Sequence, residues 1–343
     1  MVRLGRKLMT IGLAMVTALS LTGCGQNKTV FDDIEEMNKI TEGSFNFNVN
    51  VTSNVAGKNV NIGAEMKGSC NENSAAIDIP KITLSTGEQD IVLNKISFQL
   101  VDNKIYIPVE TVANVLKTMN NQELPEFKDA EGNTVEWFYM DLESAINSQG
   151  LMPNIQIDTS SIDGKEMKNY VTTTLLPELK ESFGSLENKI LYVNADTAHF
   201  NITNETFKEF LEALKKFIQD GSFNKVYEGA TKLVGNIENK ELDIEGVSAL
   251  ETNNTVDTDI MISQLDAIAE NMPKDLTFNV DLATTMKDNK GTMQVTGEVK
   301  QAENEVKLNI DWTITAEKVE IKAPTVGLLN IANLMSVDSS LGY

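Results

Sequence analysis

Histidine and cysteine are nearly absent from this chain, and their scarcity removes much of enzymology at once. His199 is the one histidine among 343 residues, and Cys24 and Cys70 are the only cysteines. A single imidazole excludes zinc sites built from histidine clusters and leaves little room for a Ser-His-Asp triad. Two cysteines make neither a CxxC redox pair nor a disulfide framework, and a chain this long does not need one. Aromatic residues are 6% of the chain, too few to furnish the stacking platforms of a sugar-cleaving cleft. No glycine-rich phosphate loop follows a strand-like segment. Basic residues are also in deficit, with 29 Lys and Arg against 50 Asp and Glu. A surface this negative repels phosphate backbones, so nucleic acid is excluded as a partner. After residue 21 no apolar run approaches the 18 or more residues of a transmembrane helix.

The N-terminus carries the most specific pattern in the chain. Arg3, Arg6 and Lys7 precede a mostly apolar stretch, Leu8 to Leu21, that is too short for a permanent span. It ends in Leu21-Thr22-Gly23-Cys24. This order of charge, apolar core, leucine, two small residues and cysteine resembles the lipobox of bacterial lipoprotein signal peptides. The resemblance implies that residues 1–23 are removed and that Cys24 carries a diacylglycerol thioether and an acyl chain such as palmitate. It further implies a protein on the extracytoplasmic face of the cell membrane, held there through Cys24, with residues 24–28 as its tether. Two acyl chains make a firm anchor, since each buried methylene contributes about 0.8 kcal/mol. Loss of the three basic leader residues leaves 26 basic against 50 acidic side chains, a formal charge of −24 on the mature chain. Such acidity suits solubility and a body held off anionic headgroups.

Periodicity divides the chain beyond the tether. Val30, Phe31, Ile34, Met37 and Ile40 recur at helical spacing within Thr29–Glu42, with Asp32, Asp33, Glu35 and Glu36 where the helix dipole favours acids. The period then drops to two at 45–51 and 60–66, with a turn at Gly57-Lys58 and further strands near 75–84 and 90–101. The phase slips at Pro80, which predicts a bulge or edge. Asp102-Asn103 turns into a strand over 104–108, and links this short demand antiparallel pairing. Helical patterns come next at 109–119, 141–148, 162–185 (broken at Pro177), 205–219 with Asn204 as cap, 223–237 and 258–270. A strand over 135–140 and a hairpin over 189–202 lie among them. The C-terminal meander is the cleanest signal: 276–282, a turn at Asp288-Asn289, 293–299, 306–316, and Val319 with Ile321 closing it before Pro324.

These elements predict an α+β fold of long antiparallel β-meanders, forming a curved sheet or half-barrel packed by several amphipathic helices. The expected organisation is a helix and meander over 29–140, a mainly helical middle with a hairpin over 141–274, a meander and helix over 275–335, and a tail over 336–343. Ser44–Val51 resembles Asp275–Leu282, and Lys104–Ile107 with Thr111-Val112 resembles Lys318–Ile321 with Thr325-Val326, which suggests an internal duplication. This layout resembles the LolA/LppX-like lipid-binding lipoproteins. In that group a curved half-barrel and covering helices enclose an apolar cavity. The resemblance implies an apolar small molecule or lipid as ligand, and a lining drawn from Phe47, Val49, Phe278, Val280, Leu308, Ile310 and Trp312.

Carboxylates offer little chemistry despite their number. Glu241–Gly246 places three acids on one strand face and partly mimics a calcium loop, but Thr252 stands where the bidentate glutamate belongs. His199 reads as structural and Cys70 as a tolerated thiol. No catalytic, metal or cofactor residue is assigned. The expectation is a non-catalytic cell-surface lipoprotein that binds an apolar ligand, or alternatively an envelope module acting through protein contacts. A hydrolase of surface polymers ranks behind both.

Overall fold

The computed structural model describes residues 29–71, 74–87, 90–129, 132–141, 169–184, 186, 190–233 and 258–331. The leader, Cys24, the tether, all but Asp141 of the helix expected over 141–148, the acidic 241–246 and the C-terminal tail lie outside them, and Asp141 itself ends a strand. The chain divides into two compact units, and the division falls between Ile310 and Asp311. Unit 1 is Met1–Lys39 with Ser161–Ile310; unit 2 is Ile40–Ser160 with Asp311–Tyr343. The fold is α+β and mostly antiparallel, as the periodicities required.

In unit 1 the helix α1 (Val30–Asn38) starts at a capping box. The backbone N–H and the hydroxyl of Thr29 both donate to Asp32 Oδ2 at 2.8 Å. The helix stops four residues short of the expected Glu42. A π-helical turn (Val171–Leu175) leads into α2 (Leu176–Phe183), with Pro177 in its first turn. Proline has no N–H to give, so the regular ladder restarts there, at the break the sequence signalled. Strands β7 (Leu191–Asn194) and β8 (Thr197–Thr203) form the expected hairpin. Next come helices α4 (Phe207–Gln219), α5 (Ser222–Leu233) and α6 (Thr258–Glu270), α3 (Val109–Asn120) belonging to unit 2. The meander β9 (Leu276–Lys287), β10 (Lys290–Gln301) and β11 (Asn304–Ala316) completes a sheet ordered β11-β10-β9-β8-β7.

Asn204 does not cap α4, whose N-cap is Thr206. Its side-chain amide instead donates to Leu276 O at 2.8 Å and accepts from Phe278 N at 2.7 Å. An asparagine can mimic a strand's paired N–H and C=O, and here it extends the ladder beside β9.

Helix α1 packs chiefly on β9 and also reaches β10 and β8. The unit 1 core is closed and rich in phenylalanine. Phe31, Phe183, Phe200, Phe207, Phe210 and Phe217 are all buried in one cluster with Leu176, Leu211 and Leu282. Phe183 lies 6.0 Å from Phe210 and 5.7 Å from Phe217 between ring centroids. Each such side chain contributes about 1.5–3 kcal/mol on burial. Lys180 of α2 ties down α1 through Glu35 (3.1 Å) and Asp32 (3.4 Å). Burial works against its charge, yet those two carboxylates leave the ammonium pKa raised.

Unit 2 is ordered β12-β6-β5-β4-β3-β2-β1-β11, with only the 311–316 end of β11 belonging to it. Its long strands are β1 (Gly43–Val55), β2 (Lys58–Cys70), β3 (Ser74–Ser85) and β4 (Asp90–Val101). Strand β5 (Lys104–Pro108) runs directly into α3, and β6 (Trp137–Asp141) comes after it. Strands β1 to β6 pair antiparallel in sequence, and β12 (Leu328–Asn330) joins β6 in parallel. Ala56-Gly57 and Asp102-Asn103 make the tight turns, all four residues at positive φ. The bulge expected at Pro80 is present. Glu65 pairs with Lys81 but Lys67 pairs with Asp78, a slip of one residue that keeps Ile77 and Ile82 on one apolar face.

One expectation at the C-terminus fails. Val319 and Ile321 form no strand, because Glu317–Thr325 pairs in no ladder among the described residues. Helical structure begins at Ile331, and the rest of the segment expected to end near Met335 lies outside the described residues. Of the suggested duplication, Ser44–Val51 and Asp275–Leu282 each open a meander, whereas Lys104–Ile107 is a strand and Lys318–Ile321 is not.

Candidate functional site

The two units treat their apolar strand faces differently, and that difference locates the candidate site. In unit 1, Ala198, Phe200 and Ile202 of β8 and Leu282 of β9 are buried beneath helices. In unit 2, no apolar side chain of β1, β2 or β3 is fully buried among the described residues. Cross-strand rows run Val51–Ile62–Leu84–Ile91 and Val49–Ala64–Ile82–Leu93. Their alternation is that of a core face, yet Ile62 is 38% and Ile91 41% exposed. Phe45 lies over Gly68, its cross-strand partner; a Cβ on Gly68 would sit 2.9 Å from the ring and 2.2 Å from Ala76 O. Glycine there lets the aromatic ring lie flat against the sheet.

Among the described residues of unit 2 the one helix, α3, packs on β4 and β5 rather than on β1 to β3. Thr111, in its first turn, is buried and accepts from Ser97 N at 3.1 Å. Its hydroxyl also lies 3.3 Å from Ser97 O. Beside them Lys95 holds φ 55 in mid-strand, so β4 is kinked where the threonine inserts. The helix is thus fixed on β4. Among the described residues, unit 2's buried apolar side chains, Val101, Tyr106, Val135, Phe138 and Ile314, include none from β1 to β3. Phe127 meets Phe138 edge-on at 5.3 Å, and Tyr106 stacks on its partner Tyr139 at 6.1 Å.

The residues expected to line a cavity separate between the units. Phe47 and Val49 are half-buried on the apolar face of β1 in unit 2, and Trp312 is half-buried on its part of β11. Phe278, Val280, Leu308 and Ile310 pack against the closed core of unit 1, with Phe278 edge-on to Phe207 at 4.9 Å. Cys24 lies outside the described residues.

His199 sits on the opposite, polar face of the unit 1 sheet. Its Nδ1 lies 3.0 Å from Asp281 Oδ2, and its ring stacks on Tyr192 at 4.8 Å. Burial, then the Asp281 charge, push the Tyr192 phenol upward. Asp281 fixes one imidazole nitrogen, and among the described residues no serine or cysteine is hydrogen-bonded to this couple. Among the same residues no group of three His, Cys, Asp or Glu is placed to hold a metal ion, and no helix is long and apolar enough to cross a membrane. Cys70, half-buried at the end of β2, has its thiol pKa pushed up by burial, which opposes nucleophilic use.

Sequence reasoning misses one internal pair. The dipole rule sets Asp33 on the helix surface, but it is fully buried and its Oδ2 accepts from Thr284 Oγ1 at 3.1 Å. Nothing local distinguishes Asp33 from Asp32, so only the facing strand reveals it. No protein-family model matches the chain, and no curated protein matches it either.

Proposed function

We propose that this chain is a lipid-anchored extracytoplasmic protein that holds an apolar small molecule or lipid, without catalysis, on the open apolar face of unit 2. Acylation of Cys24 supplies the anchor and leaves the body in the aqueous phase. The observation that carries the ligand reading is the contrast between a closed, phenylalanine-rich core in unit 1 and half-exposed core-patterned rows on β1 to β4 in unit 2. Isolated exposed leucines or isoleucines are ordinary, but contiguous rows such as Val51–Ile62–Leu84–Ile91 support reading this face as a binding surface. Phe47 and Val49 belong to that face, so the ligand contacts are drawn from unit 2, while Phe278, Val280, Leu308 and Ile310 serve the core of unit 1.

Two experiments test the two halves. Growth with a fatty-acid probe labels the wild-type protein, and Cys24→Ala abolishes the label; undiminished labelling of the variant refutes the anchor. Native mass spectrometry with lipid extraction on protein lacking residues 1–24 recovers a co-purified apolar molecule; repeated recovery of none refutes the ligand.

A further inference from the structure

We propose that Glu317–Gly327 is a strap lying across the apolar face of unit 2 and able to lift from it to admit ligand. The lifting rests on the function proposed above; the position of the strap does not.

The strap begins where β11 ends and finishes where β12 begins, and these strands occupy opposite ends of the unit 2 sheet. Seven interstrand steps separate them, which at about 4.8 Å each is about 34 Å of sheet. Twelve Cα steps from Ala316 to Leu328, at about 3.3 Å each, reach about 40 Å. The segment is therefore long enough to cross the sheet only with little slack, and from Glu317 to Thr325 it forms no helix, turn or strand that would shorten it.

It is fastened at both ends. Glu317 N donates to Glu42 O at 3.4 Å, and Val319 N to the Glu42 carboxylate at 2.8 Å. At the other end Gly327 O accepts from Glu136 N and Trp137 N at 2.9 and 3.0 Å. Gly327 holds φ +64, and a Cβ there would meet Thr134 O and Glu136 N at 3.0 and 3.1 Å, so the far clasp requires glycine. Between the clasps, among the described residues, no backbone hydrogen bond holds Glu320–Val326.

The strap's side chains alternate. Lys318, Glu320 and Lys322 are exposed, while Val319, Ile321 and Ala323 are half-buried. Apolar side chains need an apolar surface to shield them, and the row Phe45–Gly68–Ile77–Phe98, at the level of the two clasps, provides one. The opposite face, carrying Asn46, Asn48 and Glu65, does not. A segment clasped at its ends, apolar beneath and free of the ladder between, can open without unfolding the sheet.

Cross-linking tests the position. In a Cys70→Ser background of the full chain, Ile321→Cys with Ile77→Cys places one thiol on the strap and one on the apolar face at the level of the two clasps. Ile321→Cys with Asp78→Cys moves the second thiol to the other face. A short bis-maleimide should join the first pair and not the second. Equal yields, or a preference for the Asp78 pair, overturn the strap's position. Lifting is then read from stopped-flow uptake of the neutral fluorophore N-phenyl-1-naphthylamine. The cross-linked first pair should take it up at least tenfold more slowly than the same protein before cross-linking. Equal uptake rates overturn the gate. No uptake by the unlinked protein overturns the ligand reading and the gate with it, while the cross-link yields still decide where the strap lies.

Discussion

Asp33 and Thr284 meet at 3.1 Å inside unit 1, both fully buried, although 251 residues separate them in the chain. The pair fixes the rotation of α1 on β9, because any other setting of the helix would bury the carboxylate without this donor. Thr284→Val removes the donor and leaves the acceptor buried, at a cost of about 1–3 kcal/mol. Urea unfolding followed by circular dichroism should show the lower midpoint. An unchanged midpoint would mean that the pair does not hold the helix.

Thr111 plays the corresponding part in unit 2. Thr111→Val keeps the shape but loses the bond from Ser97 N into the kink at Lys95, at a cost of about 1 kcal/mol. Both tryptophans, Trp137 and Trp312, belong to unit 2, so tryptophan fluorescence reports its unfolding selectively. The expected result is an earlier fluorescence transition in the variant; coincidence with wild type contradicts the role given to Thr111.

Asn204 acts as a side-chain extension of the β9 ladder. Asn204→Ala should cost about 1 kcal/mol and accelerate hydrogen exchange at the Phe278 amide, whereas Asn204→Asp retains the acceptor and most of the protection. If Phe278 exchanges equally in wild type and the alanine variant, the amide bridge carries nothing.

Cys70 gives a pH-dependent signal. Burial raises its thiol pKa, so the fold favours the neutral form. Stability from this group is full below the unfolded thiol's pKa and declines as the pH rises through the folded one. At pH 8.5 alkylation of Cys70 by iodoacetamide should be at least about threefold slower in the native protein than in urea, because the thiolate is the reactive species. Equal rates would show the thiol to be unperturbed.

Much of this architecture is legible in the chain because half-buried strands announce themselves. Phe278, Val280 and Leu282 alternate with Thr277, Asn279 and Asp281, and Pro80 marks its own bulge. Alternation reports exposure, however, and pairing is a separate matter. Val319 and Ile321 alternate with charged neighbours as faithfully as any strand, since one side of the strap is shielded and the other wet, yet no ladder forms. The same limit applies to the site. Periodicity gives Phe47 and Phe278 identical standing, and only the placement of helices separates an open face from a closed core. Asn204 and Asp33 mislead for a related reason: both satisfy local capping or dipole rules while their actual partners, Leu276, Phe278 and Thr284, lie more than 70 residues away.

If the half-exposed rows of unit 2 bind an apolar molecule, a single charge placed among them should weaken that binding. Ile62→Asp puts one in the row Val51–Ile62–Leu84–Ile91 at a side chain already 38% exposed, so the fold should survive, as circular dichroism can verify. Fluorescence titration with N-phenyl-1-naphthylamine should give saturable binding to the wild-type protein and at least tenfold weaker binding to the variant, a difference of about 1.4 kcal/mol or more. Equal affinity for the two proteins, or no saturable binding to either, would refute the binding surface.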